Sequence, residues 1–188
     1  MDILLLGPPG AGKGTQGVRL AAALGVPKFA TGDLLRDAVR LGTPLGLKAK
    51  AVMEAGHLVS DDIILGVVRE ELGRPAAQRG VVFDGVVRTI PQAEGVAAIL
   101  AERGRALDHV LLLDVDDAEL LGRLAHRRTV EQRADDDPEA VANRLRAYRA
   151  QTAPVIAWYE EHGGVTRVPA VGSVDEVAAR IRRALEAA

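Results

Sequence analysis

Short apolar runs alternate with amphipathic segments along the chain. Apolar runs that end at glycine or aspartate are typical of buried strands, whereas apolar residues three or four positions apart are typical of helices that cover a sheet. The expected strands lie at residues 3–6, 28–30, 81–85, 109–114 and 165–168. Because helical segments separate them, the pattern predicts an α/β fold, with a parallel sheet of about five strands and helices on both faces.

Capping residues and prolines predict where several helices begin and end. The residues expected to cap helix N-termini are Thr31, Asp137, Thr89 and Ser173. Thr89 with Gln92, and Ser173 with Glu176, have the spacing of a capping box. The helix after Thr89 should end near residue 103. The helix after Asp137 should reach about residue 163, with a kink or break near residue 153 because Pro154 lies inside it. Residues 30–59 should form two short helices around glycine breaks, as a mobile insert outside the sheet.

The first expected strand leads into a glycine-rich loop at residues 7–15 and then into a helix. Glycines let the loop turn its N–H groups inward, the helix N-terminus adds partial positive charge, and Lys13 adds a full charge. The loop matches the pattern G-x-x-x-x-G-K, with Gly14 where a hydroxyl residue is usual and Thr15 one position later. This arrangement predicts a polyphosphate site. The alternative is a tight turn without a ligand, in which Lys13 would have no packing role.

Polar residues lie at and just beyond the end of the strand expected at residues 81–85, at the carboxyl edge where open parallel sheets bind ligands. This strand ends in Asp84 and Gly85, and a carboxylate beside a phosphate loop is expected to hold Mg²⁺ through water. Arg88 lies just beyond it. The alternatives are that Asp84 caps a turn and that Arg88 is a solvated surface charge.

Arginine is concentrated in one part of the chain. Seven arginines and no lysine occupy 27 residues, at positions Arg123, Arg127, Arg128, Arg133, Arg144, Arg146 and Arg149. Arginine binds phosphate in a bidentate manner that lysine cannot, so the bias favours a polyphosphate site. Arg123 and Arg127 share one helical face, whereas Arg146 is out of phase with Arg144 and is expected to pair with glutamates in solvent. The alternative is an ordinary charged helical face.

Composition narrows the classes of protein. The chain has 188 residues, of which 48% are hydrophobic, a net charge of −2 and no cysteine. A single domain with a substantial core is expected, without disulfides or a thiolate metal site. The net charge argues against nucleic-acid binding as the main activity. With no leader segment and no membrane-spanning apolar run, we expect a cytoplasmic protein.

Several of these segments, taken in order, are similar to adenylate kinase. They are the loop at residues 7–15, Thr31-Gly32-Asp33-Leu34-Leu35-Arg36, Asp84-Gly85 with Arg88-Thr89 and Gln92, and Arg133-Ala134-Asp135-Asp136 with Arg144. The resemblance covers essentially the whole chain. It implies a P-loop NTPase-like three-layer fold and reversible transfer of the terminal phosphoryl group from MgATP to AMP, which gives two ADP and serves adenine nucleotide homeostasis.

The resemblance also implies a division of the chain and a set of partners. A single kinase domain would span residues 1–188, with an AMP-binding insert at 30–59, a short lid at 126–136 and the remainder as core. Mg²⁺ would accompany ATP. No structural zinc is expected, because the lid is short and lacks cysteine. The expected partners are ATP, AMP and ADP, with no nucleic acid and no membrane, for a protein that acts as a monomer.

Roles follow from the resemblance position by position. ATP would be held by Gly10, Ala11, Gly12, Lys13, Gly14, Thr15, Arg123, Arg127 and Gly172. AMP would be held by Thr31, Arg36, His57, Leu58, Val59, Gly85, Arg88, Gln92, Arg133 and Arg144. The expected catalytic residues are Lys13, Arg88, Arg127, Arg133, Asp135 and Arg144. Mg²⁺ would be held through water by Asp33 and Asp84.

The chain departs from the family at Val86-Val87, where Phe-Pro is usual. The proline there is typically preceded by a cis peptide, but a cis bond before a residue other than proline costs about 2.5 to 4 kcal/mol, so we expect a trans peptide before Val87. Loss of the phenylalanine also removes an aromatic ring beside the AMP base. We therefore expect weaker AMP binding or a relaxed choice of base.

Two other functions fit part of the sequence. A UMP/CMP-type kinase shares most of these motifs, although that group usually has alanine at the position of Thr31 and asparagine at that of Thr89. A nucleotide-binding module with impaired turnover is suggested only by Val86-Val87. Assays with different monophosphate acceptors distinguish a UMP/CMP-type kinase from an adenylate kinase. Measuring ADP formation from ATP and AMP distinguishes an active kinase from a binding module.

Overall fold

A five-stranded parallel sheet forms the centre of the computed structural model, which describes residues 1–55, 57–131 and 137–187. The strands are β1 (Asp2–Leu6), β2 (Lys28–Ala30), β3 (Val81–Asp84), β4 (His109–Asp114) and β5 (Thr166–Pro169). Their spatial order is β2-β3-β1-β4-β5, and neighbouring strands are parallel. The predicted α/β class and parallel sheet are confirmed.

Helices cover both faces of this sheet, as predicted. They are α1 (Lys13–Leu24), α2 (Thr31–Arg40), α3 (Pro44–Glu54), α4 (Asp61–Leu72), α5 (Ile90–Ala101), α6 (Asp117–Glu131), α7 (Pro138–Ala147), α8 (Ala153–His162) and α9 (Val174–Glu186). A short 3₁₀ turn (Pro75–Ala77) precedes β3. In the part of the chain described, none of the helices is both long and apolar enough to cross a membrane.

The central strand β1 explains the two layers of core. Its residues alternate between the faces, so Leu4 packs in one hydrophobic cluster with Phe83, and Leu5 packs in the other with Ile181. Every residue of β1 is buried. Strands β2 and β3 lie on one side of β1, and β4 and β5 lie on the other. In open sheets of this kind, ligands bind outside the carboxyl ends of the strands, where the strand order reverses.

Most of the expected helix ends are confirmed. Ser173 and Glu176 form a complete capping box at α9, and Asp137 caps α7 by accepting from the backbone N–H of Glu139 at 3.1 Å. Helix α5 ends at Ala101, slightly before the expected position. The predicted helices of the 30–59 segment are α2 and α3.

The N-termini of two helices, α2 and α5, differ from the capping predicted from the sequence. Thr31 is the first residue of α2 and not its N-cap, so the prediction that it caps this helix is wrong. Strand β2 continues directly into α2, and the Thr31 hydroxyl donates to the carbonyl oxygen of Gly85 at 3.0 Å. Thr89 caps α5, but the Gln92 side chain accepts from the backbone N–H of Arg88 and does not complete a capping box. The Thr31 and Gln92 side chains instead form hydrogen bonds with the turn after β3, at Gly85 and Arg88 respectively.

Pro154 changes the helix that contains it without breaking it. A π-helical turn (Tyr148–Thr152) joins α7 directly to α8, and Pro154 lies in the first turn of α8. Proline has no N–H to donate, and in a regular α-helix its ring would clash with the carbonyl of Ala150, four residues earlier. The wider π turn relieves that clash. The irregularity predicted near residue 153 is therefore present as a π turn.

Helices α2 and α3 approach each other closely because of Gly46. A Cβ atom on Gly46 would lie 2.1 Å from the backbone carbonyl oxygen of Ala38 in α2. The Thr43 hydroxyl caps α3 by accepting from the backbone N–H of Gly46 at 3.1 Å. The glycine expected as a chain break is thus a packing contact between the two helices.

Candidate active site

The loop between β1 and α1 has the backbone conformation that its glycines suggested. Gly7 has φ +144°, and a Cβ there would lie 2.8 Å from the carbonyl oxygen of Leu113. Gly12, at φ +91°, is the N-cap of α1. The Lys13 ammonium donates to the carbonyl oxygens of Gly7 at 2.7 Å and Pro8 at 2.9 Å, so it lies within the loop. A fixed cation and the N-terminus of α1 therefore face the same space.

The electrostatic environment of Lys13 shows which other charges lie near. The pKa of Lys13 is lowered to about 8, chiefly by burial; Asp84 acts to raise it, and the positive charges of Arg88, Arg144 and Arg127 act to lower it. Three arginines from separate parts of the chain thus act on one lysine. The cationic groups singled out in the sequence therefore converge on the glycine-rich loop at residues 7–15, the phosphate loop.

Two adjoining cavities lie at this edge of the sheet, and the larger, of about 740 Å³, lies over this loop. Its lining includes every residue expected to hold ATP, namely Gly10, Ala11, Gly12, Lys13, Gly14, Thr15, Arg123, Arg127 and Gly172. Polar atoms and charged groups form much of this lining, as a site for a polyphosphate requires.

A smaller cavity adjoins the larger one. Its lining includes the described residues expected to hold AMP, namely Thr31, Arg36, His57, Leu58, Val59, Gly85, Arg88, Gln92 and Arg144. Gly32, Arg36, Gly85, Arg88 and Arg144 line both cavities. Two anionic ligands placed in these cavities would therefore meet beside the arginines at their border.

Two carboxylates line the larger cavity beside the phosphate loop, and a lysine connects them. The Lys28 ammonium lies 2.9 Å from a carboxylate oxygen of Asp33 and 3.6 Å from one of Asp84. Burial opposes ionisation of Asp33, but hydrogen bonds from Lys28 and Arg36 outweigh it and lower the pKa of Asp33. Asp33 and Asp84 are therefore held close together. Among the described residues, no group of three or more His, Cys, Asp or Glu is arranged to hold a metal directly.

The contact of Lys28 with these two carboxylates was not predicted from the sequence. Its aliphatic stem packs against α1, where a Cβ on Gly17 would lie 3.1 Å from the Lys28 Cδ. The available signal was a charged residue in a short strand directly before the Thr31-Gly32-Asp33 motif.

The turn after β3 holds Arg88 by its backbone and its side chain. The peptide before Val87 is trans, as expected, and both valines are buried. The Arg88 N–H donates to the Gln92 side-chain oxygen at 2.8 Å, and the Arg88 Nε donates to the carbonyl oxygen of Gly85 at 2.9 Å. Arg88 is thereby kept at the border of the two cavities.

Gln92 is oriented by a residue that the sequence did not indicate. Its Nε2 donates to an Asp61 carboxylate oxygen at 2.8 Å, and the Thr89 hydroxyl donates to the same oxygen at 2.9 Å. Because Asp61 only accepts, it fixes which end of the Gln92 amide faces Arg88. This contact joins the start of α4 to the start of α5.

The remaining arginines divide into site and surface groups. Arg123 donates to Glu119 at 2.8 Å and to the carbonyl oxygen of Ala170 at 2.9 Å, beside the larger cavity. Arg146 donates a hydrogen bond to Asn143, which lies one helical turn earlier and is within its reach. The prediction that Arg146 pairs with glutamates is therefore wrong. Arg149 pairs with Asp117 at the surface. Arg133 and Asp135 lie outside the described residues, as does part of the expected lid at 126–136.

Two cavities thus meet beside one glycine loop, with guanidinium groups at their border and carboxylates beside the loop. On a five-stranded parallel sheet, this arrangement defines a P-loop phosphotransferase.

Comparisons with known proteins identify the family. A family profile described as adenylate kinase matches residues 5–164. An adenylate kinase of Gemmatimonas aurantiaca is 50% identical over 211 residues, covering 98% of this chain and 99% of that protein. One of Xanthomonas oryzae pv. oryzae is 51% identical over 185 residues with the same coverage, and one of Methylobacterium radiotolerans is 47% identical over 192 residues, covering 99% and 96%.

The chain belongs to the adenylate kinase family. It is accordingly a phosphotransferase enzyme that moves a phosphoryl group reversibly between ATP and AMP, in a family that binds ATP, AMP and ADP and uses Mg²⁺ with ATP.

Proposed function

We propose that ATP occupies the larger cavity and AMP the smaller one, and that the phosphoryl group passes between them at their shared border. The observation that carries this proposal is that Arg36, Arg88 and Arg144 line both cavities while Lys13 lies in the adjoining loop. The ATP and AMP residues are those expected from the sequence. Arg133 and Asp135 remain part of the proposal as lid residues.

The division of the chain follows the same proposal. Helices α2 and α3 carry Arg36 and Met53 to the smaller cavity, which supports residues 30–59 as the AMP-binding insert. Arg127 and Val130, from the end of α6, line the larger cavity, which supports residues 126–136 as the lid. The remaining residues form the core. Action as a monomer is part of the same proposal.

The proposed mechanism rests on charge neutralisation and alignment. Two nucleotides bring like-charged phosphates together, so the site must offset their repulsion and hold the acceptor oxygen in line with the phosphorus. Lys13 and Arg127 would contact the donor phosphates, and Arg88 and Arg144 would act between donor and acceptor. No covalent intermediate on the protein is required. Closure of the lid would exclude water, the competing acceptor.

Mg²⁺ would be held through its water ligands by Asp33 and Asp84. Both residues fit this role, because their carboxylates pair with the same Lys28 ammonium and line the larger cavity together with the phosphate loop. Lys28 and Arg36 offset the negative charge of this pair in the ligand-free protein. When bound, Mg²⁺ neutralises part of the charge on the phosphates.

Acceptor choice tests the proposal directly. ADP formation should be measured with MgATP and, in separate assays, AMP, CMP, UMP and GMP. We expect AMP to be the best acceptor. A preference for UMP or CMP would favour the related kinase group, and nucleotide binding without ADP formation from any acceptor would favour a binding module.

Restoring the usual Phe-Pro pair should alter AMP recognition. Val86 lines the smaller cavity, and both valines are 1% exposed, so the Val86→Phe/Val87→Pro variant changes the wall of the proposed AMP site. We expect a lower KM for AMP and stronger discrimination against other bases, with the KM for ATP nearly unchanged. Steady-state assays with both substrates measure this. Identical AMP constants in the two proteins would contradict it.

Affinity for ATP should fall as the pH rises above about 8. The pKa of Lys13 is lowered to about 8 in the ligand-free protein, mainly by burial, and bound phosphates would raise it. Above pH 8, binding must therefore take up a proton, and affinity should fall by up to about tenfold per pH unit. Below pH 8, Lys13 is already charged and contributes no such dependence.

Calorimetric titration with ATP alone, from pH 7 to pH 9.5, tests this prediction. The Lys13→Met variant serves as the control, since its affinity should be low and should lack the added dependence. Equal slopes in the two proteins would show that Lys13 is not the titrating group.

A further inference from the structure

Thr152 lies in the π turn between α7 and α8, and its hydroxyl is used by the active site. Its Oγ1 donates to the backbone carbonyl oxygen of Arg88 at 3.0 Å, and the residue is 6% exposed. Thr152 also lines a small cavity together with Lys13, Arg88 and Arg144. A buried hydroxyl from a helix thus bonds to the backbone of the arginine at the border of the two nucleotide cavities.

Side chains hydrogen-bond to the Arg88 backbone at both its N–H and its carbonyl oxygen. Arg88 lies between β3 and α5, outside any helix or strand. Gln92 accepts from its N–H, and Thr152 donates to its carbonyl oxygen. Both of these side chains are buried. The residue before Arg88 is Val87, which lacks the ring with which a proline would fix its own φ angle. Two buried side-chain contacts therefore hold the Arg88 backbone.

We propose that Thr152 is a positioning residue for Arg88. Its hydroxyl, together with Gln92, sets the orientation of the Arg88 main chain and hence the direction in which the guanidinium group reaches the cavity border. The π turn is the local structure that presents Thr152 to this carbonyl, and π turns are frequent at functional sites. This inference rests on the proposed role of Arg88 in phosphoryl transfer.

The Thr152→Val variant removes the donor and retains the branched shape. A single hydrogen bond of this kind is worth up to about tenfold in rate when it acts on the transition state. We expect kcat to fall about three- to tenfold and KM for AMP to rise, while the dissociation constant for ATP is unchanged. Thr152→Ser, which keeps the hydroxyl, should recover most of the lost turnover.

A double-mutant cycle with Arg88→Ala separates positioning from a general structural role. If Thr152 acts through Arg88, then Thr152→Val should have little further effect on kcat/KM in the Arg88→Ala background. A merely structural role would reduce activity by the same factor in both backgrounds. That outcome, or an unchanged kcat in Thr152→Val, would overturn the proposal.

Backbone amide exchange in the ligand-free protein provides a readout that does not depend on activity. Exchange at residues 85–89 should be faster in Thr152→Val than in the parent or in Thr152→Ser, at a temperature where all three are folded. Unchanged exchange would overturn the positioning role. If the parent makes no ADP, the proposed function fails, and the exchange measurement still decides whether Thr152 holds the Arg88 backbone.

Discussion

Replacement of Arg88 by alanine is expected to lower turnover by about 10³- to 10⁵-fold, the range for a single arginine that acts on the transition state of phosphoryl transfer. Arg88 lines both cavities, and its charge acts on Lys13. Gly7, Gly12 and Lys13 supply the turns and internal contacts of the phosphate loop. Affinity for ATP should therefore be nearly unchanged.

Two measurements check this prediction on the same protein. A coupled assay gives the rate of ADP formation, and equilibrium titration gives the ATP dissociation constant. Arg149→Ala is the matched control, because Arg149 pairs with Asp117 at the surface and lines neither nucleotide cavity. Similar turnover in Arg88→Ala and Arg149→Ala would remove Arg88 from the reaction.

Local motifs in the sequence predicted the centre of this fold because their physical causes are themselves local. The buried run of β1, the glycines that require positive φ and the lysine at the start of α1 all lie within one short segment. The Ser173–Glu176 capping box is likewise complete within one helical turn. In such segments, neighbouring residues determine the conformation, and tertiary contacts agree with it.

Thr31 shows where local reasoning fails. Threonine before an apolar helical pattern is a reasonable N-cap, but the Thr31 hydroxyl donates to Gly85, which is 54 residues away in sequence. Gln92 has capping-box spacing from Thr89, yet it bonds to Arg88 and to Asp61. In both cases, distant partners take the side chain away from local capping: the carbonyl oxygen of Gly85 for Thr31, and the Arg88 N–H with the Asp61 carboxylate for Gln92.

Residues that support the site were the hardest to predict. Thr152 and Asp61 act on partners 64 and 31 residues away, and the sequence around each predicts only an ordinary helix. Lys28 connects two carboxylates only because β2 and β3 are neighbours in the sheet. Sequence spacing reports the residues that face a ligand in a known motif, whereas their supporting contacts arise from the assembled fold.

The second large effect concerns stability and lies at the opposite end of the sheet. Asp2, at the start of β1, is 3% exposed, and Arg105 holds its carboxylate through two hydrogen bonds, one of them from Nε at 2.9 Å. Arg105 also donates to the carbonyl oxygen of Ala77 at 2.8 Å. Arg105→Met would leave a buried carboxylate without its counter-charge. We expect this variant to lose about 3 kcal/mol of the free energy of unfolding.

Denaturant unfolding of the parent, Arg105→Met and a control variant tests this value. Arg69→Met is the control, because it removes the same charge from a pair with Glu102 in which both side chains are about half exposed, so water replaces the lost contact. The double variant Asp2→Asn/Arg105→Met should recover part of the loss, since the uncompensated charge is removed as well. Equal midpoints for Arg105→Met and Arg69→Met would mean that burial does not strengthen the Asp2–Arg105 pair. A large loss confined to Arg105→Met would establish this pair as a main support of β1, and with it of the strand that carries the phosphate loop.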